Sequence, residues 1–385
     1  MLHRTRTLVL AALALVAGAT AALAQSDILL RLRSGSPPGD RFRVDSAGGV
    51  VALGTLGVGI IPATGCGFRM MWYPFKASFR AGSPGSCPTV STQWDDANTG
   101  FYSWAGGNQS QASAFATFAF GDQVVVSGTD AAGFGGSNQV AGTAGFTAGA
   151  SNHVCGFGSV AIGFTNTTGT ITSGNCAAGN GQGAVAIGYR VTADADYAVA
   201  LGHRASADGH SGVFVAGDES TTDSIEAVAN NEFATRYAGG YRFRTNATLT
   251  TGCNLPAGSG VFSCSSSRML KENFTSVDGE ELLARFRGVP VNTWSYIGER
   301  GGVRHMGPFA EDFRAAFGLG MDDKSIGLLD IDGVNFAAVK ALEARTAQLQ
   351  ARQAEVGRLQ SRVTSLESRV QELEALVRQL AASRQ

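Results

Sequence analysis

Ser266 and Lys271 stand five residues apart in the segment CSSSRMLKENF (Cys264–Phe274), and that pair of residue types can do chemistry. A serine hydroxyl becomes a nucleophile when an amine takes its proton, so Ser and Lys can act as nucleophile and general base without a histidine. The lysine has to be neutral for this, which requires its reference pKa near ~10.4 to be lowered by burial or by neighbouring cations. The spacing alone carries little weight, and its surroundings decide. Other reactive side chains read more plainly. His153, His203 and His210 fall in turn-like polar stretches and are expected to be solvated. Asp194, Asp196, Asp208 and Asp218 read as turn formers before they read as a glycosidase pair. His305 invites a triad, but Arg304 and His305 lie in RHMGPFAEDF (Arg304–Phe313), a loop entering a helix, where Pro308 suits an early helical turn. Glu311 and Asp312 would form the solvated side of that helix.

The elements that must position these residues follow from composition. Of 385 residues 52 are glycine while only 16% are charged, a mixture that favours repetitive β structure with tight turns over disorder. A formal net charge of -1 gives no electrostatic case for nucleic acid or an anionic membrane surface. His3, Arg4 and Arg6 precede an apolar run from Leu8 to Leu23, and Ala22-Leu23-Ala24 offers a small-residue cleavage site before Gln25. Residues 1–24 therefore read as a secretory signal, with a secreted or cell-surface destination and no transmembrane segment in the mature chain. The six cysteines of an exported chain are expected to be oxidised. Sequential pairing, Cys66 with Cys87, Cys155 with Cys176 and Cys253 with Cys264, is the simplest connectivity. With no CxxC and no nearby histidine cluster, no metal site is expected, and no cofactor is implied.

The middle of the chain is a ladder. AVAIG (Ala184–Gly188) returns as AVALG (Ala198–Gly202), and the same fourteen-residue interval links Gly107, Gly121, Gly135, Gly149 and Gly163. Counting forward, Val213-Phe214-Val215 leads to Ala216 in the glycine place. The step from Gly163 to Gly188 is longer and contains Cys176, so a bridge to Cys155 could pin the extra loop. Each unit reads as one short strand followed by a polar turn, stacked coil on coil as a parallel β-roll or β-solenoid. Single coils cannot bury their apolar side alone, so oligomerisation is expected to complete the core. SVAIG (Ser159–Gly163), AVAIGYRVTADADYAVALG (Ala184–Gly202) and HRASADGHSGVFVAG (His203–Gly217) resemble the head repeat of YadA-like trimeric autotransporter adhesins, a left-handed parallel β-roll. The resemblance covers about residues 101–218. The β-barrel anchor that closes that family is not expected here. Residues 25–100 are expected to be β-rich, with MMWYPF (Met70–Phe75) and Trp94 as core aromatics, and residues 219–265 form a β connector.

After Cys264 glycine thins, charge rises and helical periodicity appears. SSRMLKENF (Ser266–Phe274), VPVNTWSY (Val289–Tyr296), RHMGPFAEDF (Arg304–Phe313) and LDIDGVNFAAVKAL (Leu329–Leu342) resemble, in that order, the C-terminal intramolecular chaperone of phage tail spikes, the endosialidase-type autopeptidases. The resemblance implies a small α+β domain over residues 266–345 that helps three chains register a β fibre and then cuts itself off. It makes Ser266 the nucleophile, Lys271 its base and Ser265–Ser266 the bond cut. The family commonly places Asp directly after the nucleophile, where this chain has Ser267. Cys264 precedes the cut, so a bridge to Cys253 would stay on the N-terminal fragment.

The tail, residues 346–385, carries heptads. Val356, Val363, Val370 and Val377 occupy one core position, and Leu359, Leu366, Leu373 and Leu380 the other. Val at a with Leu at d favours two strands, but RVTSLE (Arg362–Glu367) and RVQELE (Arg369–Glu374) resemble short trimeric coiled coils. The expected assembly is a homotrimer, with a polar upper seam at Arg345 and Arg352. The whole then reads as mainly β: a trimeric head, an α+β chaperone and a coiled coil, in an exported, adhesin-like fibre that meets a glycan or a cell surface. The alternatives are a polysaccharide-binding or polysaccharide-degrading spike, and an uncut fibre that keeps its chaperone as a clamp.

Overall fold

The computed structural model describes residues 28–35, 39–88, 91–177 and 180–383. The expected export signal, residues 1–24, lies outside the described residues. The chain is mainly β, and its α-helices among the described residues all follow Asp278. None of them is long and apolar enough to cross a membrane. The chain divides into two compact units, one ending at Ser265 and the other beginning at Ser266.

The first unit opens with a three-stranded antiparallel sheet, Ile28–Ser34, Gly39–Asp45 and Val50–Ala52. An antiparallel pair, Arg69–Tyr73 with Ser78–Ser83, leads into the main body. From there each strand of the long sheet pairs in parallel with the next, through Trp104–Asn108, Phe118–Asp122, Ala132–Gly136, Phe146–Ala150, Val160–Phe164, Val185–Tyr189, Val199–His203, Phe214–Gly217 and Phe233–Arg236. A second parallel sheet is made of two-residue strands, from Gln111–Ala112 to Ile225–Glu226. Each coil therefore supplies two strands where the sequence period suggests one. A two-residue strand is too short to show alternation, so the period hides it.

The register places Gly135 beside Gly121 and Gly149. In one coil the glycine place is taken by Gly217, not Ala216, because that coil is one residue longer. The ladder also extends beyond residues 101–218. Gly82 pairs with Gly107 across a long coil that holds Cys87 and Trp94, and Phe233–Arg236 adds a strand after Gly217. His153 lies in a two-residue strand, His153–Val154, and His203 ends the strand Val199–His203, so neither occupies the turn expected of it.

Small side chains fill the interior. Ala105, Ala119, Ala161, Ala186 and Ala200 from the long sheet meet Ala112, Val126, Val140 and Val154 from the short one, all fully buried. Among them runs a column of buried asparagines, Asn138, Asn152 and Asn166. The Nδ2 of Asn152 donates to Ala148 O (3.2 Å) in its own coil and to Gly163 O (3.0 Å) in the next. Its Oδ1 accepts the Asn166 N–H at 2.9 Å, and Asn138 and Asn166 repeat the pattern. A buried amide is tolerated because its donors and its acceptor are used, and the column ties each coil to its neighbour.

Each end of the ladder is capped. At the first coil the guanidinium of Arg80, fully buried, donates to Phe79 O, Ser103 O, Ser103 Oγ and Ala112 O. Burial pushes its pKa down to about 10, so it remains charged at neutral pH, and these acceptors offset its desolvation. Trp94, also fully buried, donates to Ser110 O at 2.8 Å. At the last coils Asp218 accepts from the Ala238 N–H, from Ser220 and from Arg236, which holds its carboxyl down at about 2. A carboxylate whose pKa is depressed by folding stabilises the fold above the ordinary aspartate range and loses that contribution as pH falls through its folded value. We expect the thermal midpoint of this unit to fall between pH 4 and about 2, and Asp218→Asn to flatten that slope in a pH series of melting curves.

The unit ends in an antiparallel sheet of Gly240–Arg244, Gly252–Pro256 and Ser263–Cys264. Disulfides join Cys66 to Cys87, Cys155 to Cys176 and Cys253 to Cys264.

The second unit holds helices α1 (Gly279–Gly288), α2 (Ala310–Phe317) and α3 (Leu328–Ala382), with an antiparallel pair, Asn292–Trp294 and His305–Gly307, between α1 and α2. Asp278 caps α1 by accepting the Glu280 and Glu281 N–H groups. Leu282 and Leu283 of α1 bury against Ala338 and Ala341 of α3. Rich in Ala, Leu, Glu, Gln and Arg and free of proline, α3 runs unbroken for 55 residues, so Leu329–Leu342 and the heptads belong to one helix. Arg345, in the polar upper seam, is engaged by the domain's own α1 through Glu280. Pro308 precedes α2 rather than lying in its first turn, and His305 lies in a strand rather than a loop.

Candidate functional site

Ser266 and Lys271 are brought together by one short turn. Arg268–Leu270 form a 3-10 turn, and its N-cap is Ser267, whose Oγ accepts the Met269 N–H at 3.3 Å. Lys271 closes the turn by donating its N–H to Arg268 O. The reversal brings the two side chains together, and Lys271 Nζ donates to Ser266 Oγ at 2.8 Å. Both residues are exposed in the single chain. Position 267 is the cap of this turn, a place that Ser fills about as well as Asp. Arg268 packs its guanidinium over the Phe274 ring, 4.9 Å from the centroid, at the exit of the same turn.

On the other side of the Ser265–Ser266 bond, Ser265 continues the strand Ser263–Cys264. Its N–H donates to Gly252 O at 2.8 Å, and its hydroxyl donates to Gly252 O (3.0 Å) and Thr250 O (3.1 Å). The Gly252 N–H returns a bond to Ser265 Oγ at 3.2 Å. One residue earlier, Cys264 is bridged to Cys253, its cross-strand partner.

The remaining candidates stand elsewhere. His305 is enclosed by Trp294 and Tyr296, with ring centroids 4.7 Å and 5.6 Å away, and its Nε2 meets the Glu299 carboxylate at 3.1 Å. That contact, with the Tyr296 N–H, holds the Glu299 carboxyl below the usual range. Glu299 thus occupies the ring nitrogen that a triad would turn towards a serine. Of the head acids, Asp194 accepts the Gly209 N–H and Asp196 the Gln182 N–H, both at 2.9 Å, so each links one turn to another. Asp208 sits in a turn at φ +48°, and His210 meets Asn230 Oδ1. His203 stacks on Tyr189, with centroids 5.3 Å apart, and burial pushes His153 down. Among the described residues no group of three or more His, Cys, Asp or Glu is placed to hold a metal ion.

Sequence reasoning missed the cap at Ser267 and the asparagine column. The column was visible as SNQV (Ser137–Val140), SNHV (Ser151–Val154) and TNTT (Thr165–Thr168) at the ladder interval, whereas the cap has no such signal.

Residues 266–319 match the family model described as chaperone of endosialidase. The match opens on Ser266 and spans the 3-10 turn, α1, the strand pair and α2. Leu329–Leu342, the last of the four segments that carried the resemblance, lies beyond the matched residues. No curated protein and no solved structure matches the chain.

Proposed function

We propose that the chain is an exported, trimeric β fibre whose C-terminal domain registers three copies and then cuts itself away at Ser265–Ser266. The observation that carries this reading is the Lys271–Ser266 contact at 2.8 Å in the opening residues of a segment that matches the chaperone of endosialidase. Neutral Lys271 takes the Ser266 proton while Oγ adds to the Ser265 carbonyl carbon. The C–N bond breaks as that proton passes to the Ser266 nitrogen, leaving Ser265 as an ester on Oγ. Water hydrolyses the ester, which leaves a carboxylate on Ser265 and restores the Ser266 hydroxyl. The Ser266 hydroxyl and the Ser265 carbonyl are neighbours in the chain, so proximity provides the effective concentration.

Threefold assembly is supported by apolar surfaces that a single chain leaves open. The outer face of the long sheet carries Phe120, Phe134, Phe146 and Ile187, each more than a third exposed, and Trp104 and Phe118 pack beside them, with centroids 4.2 Å apart. Such a contiguous apolar face is rare on a monomer. On α3 the Val356–Val377 and Leu359–Leu380 rows are about half exposed, as befits one strand of a coiled coil over residues 346–385. In this reading the fourteen-residue coils form a parallel β-roll of the kind found in YadA-like adhesin heads, with a glycan or cell surface as partner. A polysaccharide-degrading spike is less well supported, because Asp194, Asp196 and Asp218 are engaged by backbone N–H groups.

The test is the intact mass of the purified chain under denaturing conditions, beside Ser266→Ala. Two fragments, the smaller beginning at Ser266, and one whole chain in the variant support self-cleavage. A trimer whose wild-type chain stays whole leaves a fibre with a permanent clamp.

A further inference from the structure

We infer that the Cys253–Cys264 disulfide positions the acyl side of the scissile bond, so that self-cleavage is licensed by oxidation of this one cysteine pair. The inference rests on the cleavage reading above and adds its regulation.

Apart from the bridge, the segment that delivers the Ser265 carbonyl is held by two backbone pairs and by the bonds Ser265 makes to Gly252 and Thr250. Ser263–Cys264 is a two-residue strand at the edge of a three-stranded sheet, paired only through Cys253↔Cys264 and Asn254↔Ser263. The side chains around it add little burial, since Val261 and Phe262 are both more than half exposed and Phe262 meets Phe243 with ring centroids 5.8 Å apart. Edge strands this short fray when nothing ties them down. Here the tie is the bridge, which joins directly opposed residues and closes a short loop. Ser265 then extends the same register through its bonds to Gly252 and Thr250. The partner backbone is itself committed, because Gly252 has φ +149° and a Cβ there would meet Phe243 O at 1.9 Å. The bridge thus fixes the residue that presents the carbonyl, within one residue of it, while the Ser267-capped turn fixes the nucleophile and base on the other side.

The redox step balances simply. A disulfide-exchange oxidant of the export compartment takes two electrons and two protons from the Cys253 and Cys264 thiols, and the S–S bond forms. In a reducing compartment the thiols persist, the strand frays and the carbonyl wanders, so the chain is expected to cut only after export. The other bridges do not share this position: Cys66–Cys87 and Cys155–Cys176 close coils far from residue 265 in sequence. Closing a loop of this length restricts the open ensemble by a factor on the order of 100, which sets the scale of the effect.

The experiment follows the cleavage half-time of the full chain by denaturing mass after synthesis in oxidising buffer or in dithiothreitol. Wild type, Cys253→Ser/Cys264→Ser and Cys155→Ser/Cys176→Ser are compared, with the assembly state of each measured by light scattering. Reduced wild type is also reoxidised in place, so that one molecule reports both states. The expected result is fast cutting of oxidised wild type, at least roughly 10-fold slower cutting in dithiothreitol, and recovery on reoxidation. The Cys253/Cys264 variant should be slow in both buffers, and the Cys155/Cys176 variant should behave as wild type. Equal half-times for wild type and the Cys253/Cys264 variant, or dithiothreitol sensitivity that persists in that variant, overturn the inference and leave self-cleavage standing. Oxidised wild type that never cuts overturns both.

Discussion

Lys271→Met is expected to leave every chain whole while the protein still assembles. Methionine keeps the length and apolar stem of lysine and removes only the amine that reaches Ser266 Oγ at 2.8 Å. A general base contributes about 10²–10⁴-fold, and an uncatalysed serine–amide rearrangement is slow, so no fragment should accumulate over the lifetime of a preparation. Lys271→Arg separates the two roles that the contact could have. A guanidinium can still donate to Ser266 and keep the charge, but it cannot become neutral and accept a proton. If Lys271 is the base, the arginine variant stays as whole as the methionine variant by intact mass. If the contact only shapes the turn, the arginine variant cuts and the base assignment fails. The Ser267 cap offers a control: Ser267→Asp keeps a side-chain acceptor at the N-cap and should cut like wild type.

The second large effect distinguishes two adjacent glycines. Gly135 has φ +112°, and a Cβ there would sit 1.9 Å from Gly149 O in the next coil, whereas a Cβ on Gly136 would meet only Ala150 Cβ at 3.9 Å. Alanine at 135 combines a disfavoured backbone with a collision against an atom that the parallel pairing holds in place. We expect Gly135→Ala to cost about 3 kcal/mol or more and to lower the melting midpoint of the unit by roughly 10 °C. Gly136→Ala should change stability by less than about 0.5 kcal/mol, because this half-buried position has room for a methyl group at ordinary contact distance. Thermal melts of the two variants side by side decide it, and similar losses would contradict the ladder register.

Much of this was legible in the sequence, and the limits have physical causes. The glycine column could be read because one backbone requirement, φ above zero with a neighbour's carbonyl close by, recurs at a fixed interval. It was misplaced at Ala216 and missed at Gly82 for one reason: a coil that lengthens breaks the count but not the hydrogen bonding, so Gly202 still meets Gly217 and Gly82 still meets Gly107. The asparagine column is easily passed over because Asn is common in turns, and its burial identifies it as an internal amide ladder. At the proposed cleavage site residue types pointed to Ser266 and Lys271, but no sequence rule shows that Ser267 caps the turn that joins them. His305 was read as structural, and its enclosure by Trp294, Tyr296 and Glu299 comes from strand pairing across a loop that no sequence pattern reveals.

The stacking of like on like has a consequence for how such a gene can change. Because Val160 pairs with Phe146 and Phe146 with Ala132, each fourteen codons on, slippage that copies or drops one whole unit preserves the reading frame, every glycine contact and every asparagine bond. Each such event would lengthen or shorten the stack of paired strands by about 4.8 Å, the spacing of neighbouring strands. Length would therefore drift in equal increments, with the unit that begins at Ser266 untouched.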